Sequence, residues 1–244
     1  NVQNSVMVMK SFSQGPTLIG YVLAKKTVPN QPIGVLYTDA SGQYLIDPST
    51  TWMASGGTLQ QYAFTHHVES RLASNALQGV QNTHYLAEGN PNAPHKLWIL
   101  IDPNCIFCHK TFLALQPFIT DGDVAIRWVL VGFLKPSSLG KAAAILSAEN
   151  PLQAFKQNET QFNETTEEGG LAPLAQPSQA IQAVLAHNFS FAESLVNIGT
   201  PAFMFRSQGV ARLQEGYPGS PENIKALIQS AADTWQSSLD KIVP

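Results

Sequence analysis

Cysteine is nearly absent from this chain: there are two in 244 residues. Two cysteines cannot supply the several cross-links that hold small secreted domains, so a disulfide framework is excluded. Charge is sparse as well. Fourteen basic residues stand against 17 acidic ones, for a net charge of −3. That balance leaves no electrostatic footprint for nucleic acid. No apolar run approaches ~18 residues, so no membrane-spanning helix is expected. An initiator methionine is missing, and no signal peptide is visible ahead of Asn1. This fits an exported product whose leader has been removed, or simply a trimmed chain. Hydrophobic content of 44% is ordinary for a globular protein. The length fits one or two domains, with two favoured.

The two cysteines sit three residues apart, in Asp102-Pro103-Asn104-Cys105-Ile106-Phe107-Cys108-His109. They lie where an apolar run, Leu97–Ile101, meets a helix-like stretch, Lys110–Leu115. Residues i and i+3 of a first helical turn face one side. Their Cα separation falls in the disulfide window of roughly 4.4–6.8 Å. The pair can open and close with little backbone movement. A strand, a C-x-x-C helix start and a late Gly199-Thr200-Pro201-Ala202-Phe203 before another strand resemble a thioredoxin fold used for thiol–disulfide chemistry. Cys105 is expected at the open helix end, where unpaired N–H groups and the dipole favour a thiolate. It should attack, and the more enclosed Cys108 should resolve the mixed disulfide. Ile106 and Phe107 form an uncharged rim, and His109 and Lys110 are candidate sources of positive potential. Pro201 is a candidate cis proline, which would leave the Thr200 backbone free to pair with an extended substrate.

The same residues admit other readings. Cys105-Ile-Phe-Cys108-His109 matches the haem c attachment pattern, with His109 as proximal ligand and Met204 as distal one. A haem site, however, asks for neither a preceding buried strand nor a late Thr-Pro. Zinc would need two further ligands, and His66, His67, His84, His95 and His187 show no ligand spacing. A purely structural disulfide would close too short a loop to gain much. The reading adopted has no metal and no cofactor beyond a redox-active Cys105–Cys108 disulfide. Asp102 is read as a cap or loop residue. Glu159, Glu164, Glu167 and Glu168 are read as a solvated acidic face. Trp98, Trp128 and Trp235 are assigned to packing, while for Trp52, in a loop-like setting, a surface role competes with packing.

Residues 1–57 read as β-rich, with strands at 18–23, 33–37 and 43–46 and a hairpin across Asp39–Gly42. A segment below roughly 70–80 residues without staples buries little alone. Pairing with a second copy is the expected remedy. Residues 58–79 read as a linker helix, with a capping box at Thr58–Gln61, a polar middle and a stop at Gly79. From 80 to 244 the pattern is βα. Strands are expected at 97–101, 124–131, 202–206 and 210–214. Helices are expected at 105–116, 138–149, 151–162, 178–187 and 221–236, and the block 138–196 reads as a helical insertion.

This order resembles the periplasmic DsbC/DsbG group of thiol–disulfide isomerases over nearly the whole chain. Thr83–Gly89, Ile101–Cys105, Leu130–Pro136 and Ala142–Leu146 are similar to the DsbG branch, as is the lack of a second cysteine pair. That branch commonly carries Pro-Tyr between the cysteines, where this chain has Ile106-Phe107. Thioredoxins carry a buried Asp six residues before the first cysteine; here that position is Ile99. The resemblance implies an α+β protein: a thioredoxin fold with helical insertion (80–244), preceded by a small cystatin-like dimerisation domain (1–57) and the linker helix. It also implies a periplasmic homodimer with an open cleft, kept reduced by a DsbD-type membrane donor. Such proteins reshuffle wrong disulfides or reduce sulfenylated cysteines of exported proteins, and the cleft can also act as a chaperone. The competing classes are a DsbA-like oxidase, against which the N-terminal 80 residues argue, and a non-enzymatic holdase.

Overall fold

A computed structural model of the chain describes residues 5–14, 16–49, 51, 58, 70–195 and 199–231. The chain divides into two compact units, Asn1–Ala73 and Ser74–Pro244.

The first unit is an antiparallel meander of β1 (Val6–Gln14), β2 (Leu18–Lys25), β3 (Val28–Asp39) and β4 (Leu45–Ile46), in that order across the sheet. The hairpin expected across Asp39–Gly42 pairs Tyr37 with Ile46 and Thr38 with Leu45. The Asp39 carboxylate accepts from the backbone of Ser41 and Tyr44 and fixes the turn. Strand β1 was not expected, because Met, Lys, Ser and Gln are weak strand formers. Pairing with β2 along its length overrides that preference. Among the described residues the core here is small: Tyr37, with Phe12 edge-on at 5.6 Å and Leu18, Val35 and Ile46 around it.

Helix α1 (Ser70–Val80) spans the boundary, and its larger part, from Ser74, belongs to the second unit. Of the expected linker helix, residues 59–69 lie outside the described residues. Gly79, expected as a stop, is helical; a Cβ there would meet the Phe191 ring at 3.0 Å, so close packing explains the glycine. A five-stranded sheet follows, ordered β5 (Leu86–Glu88), β7 (Val124–Leu130), β6 (His95–Ile101), β8 (Ala202–Ser207) and β9 (Val210–Glu215). Strands β6 and β7 run parallel through α2 (Ile106–Thr120); β5, β8 and β9 pair antiparallel. Apart from the half-buried His95, every residue of β6 and β7 is buried, the signature of strands covered on both faces. Arg127 is tolerated in this setting because its guanidinium lies over the rings of Tyr85 (4.6 Å) and Trp98 (4.8 Å). Gln208 and Gly209 both take positive φ, the two-residue turn that fits the β8–β9 hairpin.

The insertion between β7 and β8 is helical, as expected: α3 (Ser138–Leu146), α4 (Pro151–Thr160) and α5 (Gln179–Glu193). The final helix described is α6 (Pro221–Ser230). Several boundaries differ from expectation. Helix α2 continues a turn past Pro117, because Phe118 and Ile119 beyond it pack on the core. Helix α3 stops at Leu146, since Asn150 precedes proline, is held out of helical geometry and caps α4 instead. Helix α5 runs six residues further than expected, through Asn188. That side chain is fully buried; it accepts from His84 N (2.9 Å) and donates to the carbonyls of His84 (2.9 Å) and Leu130 (3.0 Å). Trp98 and Trp128 lie in the core as expected; Trp52 and Trp235 fall outside the described residues.

The Asn188 contacts give a test of what docks the insertion onto the sheet. Asn188→Ala leaves three buried backbone groups unpaired, at about 1–3 kcal/mol for the first and less for those that relax. A loss of about 2–4 kcal/mol is expected in denaturant unfolding of the reduced protein. A loss below about 0.5 kcal/mol would mean that apolar packing alone holds α5.

Candidate active site

The site is built at the carboxyl end of β6. Asp102, fully buried, follows the strand. Its carboxylate accepts from Asn104 N (2.9 Å), Phe133 N (2.8 Å), Leu134 N (3.0 Å) and the Ser138 hydroxyl (2.7 Å). Its carbonyl accepts from Cys105 N (3.0 Å). The loop role assigned to Asp102 therefore holds, with a reach that includes the β7–α3 connection. Cys105 is the N-cap of α2, with extended φ −84°, ψ 114°. Its sulfur accepts from Cys108 N (3.4 Å) and its thiol donates to the Thr200 carbonyl (3.3 Å). The Thr200–Pro201 bond is cis. The structure thus brings Cys105, Cys108, Thr200 and Pro201 together from two chain segments about a hundred residues apart.

Both thiols are free and buried, yet their chemistry diverges. The Cys105 thiol is drawn down to about 6, above all by the hydrogen bond from the Cys108 thiol. The Thr200 side chain and the N–H groups of Cys108 and Phe107 act in the same direction, against burial. Burial pushes Cys108 well above the ordinary thiol range, and the nearby charges of Cys105 and Glu159 add to it. One sulfur is a thiolate at neutral pH and the other holds its proton.

The remaining predicted residues separate into two groups. Phe107 is half exposed and stacks on Tyr217 at 6.4 Å, with the Lys110 ammonium 5.9 Å from its ring; Ile106 beside it is partly buried. They form the apolar rim expected. His109 does not supply positive potential at neutral pH. Its ring is buried, stacks on Phe162 at 4.6 Å, and is pushed below its ordinary range by that burial. The haem reading asked His109 and Met204 to serve as axial ligands. His109 is instead enclosed by Phe162, Glu159 and Glu164, and Met204 is buried in β8 opposite Trp98.

The acidic stretch is not a uniformly solvated face. Glu159 is buried, and burial raises its carboxyl to about 8. Glu168 pairs with the buried Lys141 and accepts from Ser137 (3.0 Å). Glu164 and Glu167 are exposed, as expected. The sequence carried a signal for Glu159: it lies at i+4 from Phe155, on the buried stripe of α4 shared with Asn158. Loop 163–171 is stitched to the β6–α2 turn. Asn158 donates to Pro103 O (3.0 Å), Asn104 accepts from Gly169 N (3.0 Å), and Lys141 donates to Gly169 O (2.7 Å). Gly169 is required by this approach, since a Cβ there would lie 2.5 Å from the Pro103 carbonyl oxygen.

The chain is 26% identical over 227 residues to the thiol:disulfide interchange protein DsbG of Pseudomonas aeruginosa, covering 93% of this chain and 85% of that protein. It is also 26% identical over 210 residues to the Escherichia coli protein of the same name, covering 84% and 79%. The chain is thus similar to DsbG over most of its length. No protein-family model matches it. Among solved structures, the catalytic domain of Proteus mirabilis ScsC is similar at 18% identity and a TM-score of 0.48, over 66% of this chain and 96% of that one. In this chain, Ile106-Phe107 sets an apolar, half-exposed surface next to Cys105. Among the described residues, no helix is long and apolar enough to cross a membrane.

The polarity of the pair can be titrated. Thiolate absorbance of the reduced protein should rise with a midpoint near pH 6, from Cys105. Because the Cys108 thiol is the foremost cause, Cys108→Ala should move that midpoint up, toward the ordinary thiol value of roughly 8.5. An unmoved midpoint would assign the shift to the helix end instead. The sign also sets stability. A depressed Cys105 pKa stabilises the reduced fold fully above the unfolded thiol value, and the contribution is lost as pH falls through about 6.

Proposed function

We propose that this chain is a periplasmic thiol–disulfide oxidoreductase working in the reducing direction, as the DsbG resemblance implies. The single observation that carries the reading is the asymmetry of one dithiol. Cys105 is a thiolate capping a helix beside a cis Thr200–Pro201 segment, while Cys108 is a protonated, enclosed thiol. Cys105 attacks an electrophilic sulfur and becomes bound to it, expelling the second thiolate of a wrong disulfide or, from a sulfenic acid, the hydroxyl as water. Cys108 then gives up its proton and attacks the Cys105 sulfur. The Cys105–Cys108 bond forms, the bond to the partner breaks, and the partner leaves reduced. A lowered Cys105 pKa populates the attacking thiolate at neutral pH; because it also stabilises the dithiol against the disulfide, the reducing direction depends on a donor that keeps the pair reduced. The dithiol is its own redox group and needs no cofactor, and a DsbD-type membrane donor returns it to the reduced form. Thr200 and Pro201 line the approach of an extended partner chain. Ile106 and Phe107 are its apolar contact, and the same surface serves a chaperone role.

Trapping tests the reading. Cys108→Ala retains the nucleophile without the resolving thiol, so mixed disulfides with exported proteins should accumulate in the periplasm. Folded partners carrying one functional cysteine are expected for sulfenic-acid reduction. A set dominated by partly unfolded multi-cysteine proteins would mean DsbC-like isomerisation, and no trapped partner would sink the exchange reading.

The homodimer is part of the same proposal. Val8, Ile33, Tyr44 and Leu45 are about half or more exposed on a sheet with a small core, and Leu45 lies in the edge strand β4. Covering such a surface with a second copy is the economical solution. The intact chain should sediment as a dimer, and Leu45→Lys should shift it toward monomer. A monomeric wild-type chain at micromolar concentration would remove the dimer from the proposal.

A further inference from the structure

Resolution of the mixed disulfide raises a problem that the sheet does not solve. Cys108 is enclosed and holds its proton tightly, so a base must take it. The strand offers none: at the position of the thioredoxin acid stands Ile99, fully buried in β6. An acid near the pair comes from the insertion instead. Glu159, at the end of α4, stands close enough for its charge to act on both sulfurs. Its Oε1 accepts from Asn158 Nδ2 (3.0 Å), while its Oε2 is buried with no hydrogen-bond partner. Opposite that oxygen, at 3.9 Å, is His109 Nδ1, which is also buried with no hydrogen-bond partner. The other ring nitrogen, Nε2, lies 3.8 Å from Glu164 Oε1. Glu164 is 62% exposed, whereas Glu159 is 1% exposed. Carboxyl, imidazole and carboxylate therefore lead from the buried thiol to water. The two gaps that flank the imidazole close to hydrogen bonds with a movement of about 1 Å.

We propose that Glu159, His109 and Glu164 form the proton path that serves Cys108 when it resolves the mixed disulfide. The inference rests on the exchange reading above. In the reduced protein the Cys105 thiolate is one of the charges that keep the proton on Glu159, alongside Asp102 and the dominant effect of burial; Asn158 opposes them. Formation of the mixed disulfide removes the Cys105 charge. That change moves the Glu159 carboxyl down from about 8, so a larger fraction gives its proton to water through His109 and Glu164 and stands as a carboxylate. That carboxylate takes the Cys108 proton as the Cys108 sulfur attacks Cys105, the new disulfide closes and the partner thiolate departs. The accepted proton leaves by the same route. His109 suits an intermediate role. Burial and Lys110 disfavour its charged form, while Glu164 and the Glu159 carbonyl favour it, so the ring returns a proton as readily as it takes one.

Ellman's reagent, an aromatic disulfide, separates the two steps in one stopped-flow trace of the reduced protein. The first equivalent of chromophore reports attack by Cys105, and the second reports resolution by Cys108. In Glu159→Gln at pH 7 the first phase should stay within about twofold, and the second should slow by about tenfold or more, the low end for loss of a positioned base and below. The pH profile distinguishes proton transfer from packing. The wild-type second phase should level off by about pH 8, where Glu159 titrates. That of Glu159→Gln should keep rising above it, following Cys108 itself. Glu164→Gln, at an exposed position, should slow the second phase severalfold and leave the first unchanged. If Glu159→Gln does not fold, Glu164→Gln decides: a second phase of wild-type rate and pH profile overturns the path. A folded Glu159→Gln with a wild-type second phase overturns it as well. Absence of both phases in the wild-type protein would instead overturn the exchange reading itself.

Discussion

The Asp102 carboxylate is the contact on which the architecture of the site depends. It follows a strand that is apolar on both faces and accepts four hydrogen bonds, from Asn104, Phe133, Leu134 and Ser138. Each donor belongs to a segment that would otherwise end in a buried, unpaired group. The turn that presents Cys105 is fixed from one side, and the exit of β7 into the insertion from the other. Remove the carboxylate and the buried donors of Asn104 and Ser138 lose their partner, at a cost of about 1–3 kcal/mol each, while the part-buried N–H groups of Phe133 and Leu134 lose less. The placement of the dithiol and the placement of the insertion are thus two results of one buried anion. Asn104 extends the arrangement. Its side chain donates to Ser137 and Ser138 and accepts from Gly169, so a turn of three residues is contacted by most of the surrounding polar groups.

Within that frame, the two sulfurs differ because of what surrounds them rather than because of the motif alone. Cys105 caps a helix and borrows the Cys108 proton; Cys108 sits one turn deeper, where burial dominates. The helix end contributes, but the partner thiol contributes more. The intervening Ile106-Phe107 adds no charge, so the field at Cys105 is set by hydrogen bonds from Cys108, Thr200 and the backbone. Phe107, held against Tyr217, leaves the reactive sulfur beside a half-open apolar surface suited to an unfolded or mobile chain.

Much of this was legible in the sequence where one local signal governs one local outcome. The strand before the cysteines, the helix after them, the Thr200–Pro201 segment and the Asp39–Gly42 hairpin all follow from residue type and spacing. What was not legible depends on distant partners. Strand β1 mixes Val6, Val8 and Phe12 with weaker strand formers in no clear alternation, and it pairs with β2 along its length. Helix α5 outruns its own propensity because Asn188 finds three backbone partners far away in sequence. Glu159 reads as a solvent-facing acid by residue type, and only its i+4 spacing from Phe155 hints otherwise. Its burial is decided by α4 packing Phe155, Asn158 and Glu159 as one face toward the dithiol turn. His109 was read as a cation for the same reason: its neighbours Phe162, Glu159 and Glu164 lie some fifty residues downstream and are invisible to local pattern.

These misreadings have a common origin in how the fold divides its work. Strands β6 and β7 are buried on both faces, and the charged Arg127 is accommodated there between Tyr85 and Trp98. Such a sheet positions the redox pair but leaves no room beneath it for a titrating group. Polarity must arrive from above, and the insertion brings it: Asn158 and Glu159 from α4, Glu164, Glu168 and Gly169 from the loop that follows, Lys141 from α3. A helical insertion between the third and fourth strands of this sheet is therefore part of the dithiol's environment rather than an ornament on its surface. The identity of the acid beside the resolving thiol can then change without any change in the sheet, because the strand position and the insertion position are contributed by different parts of the chain.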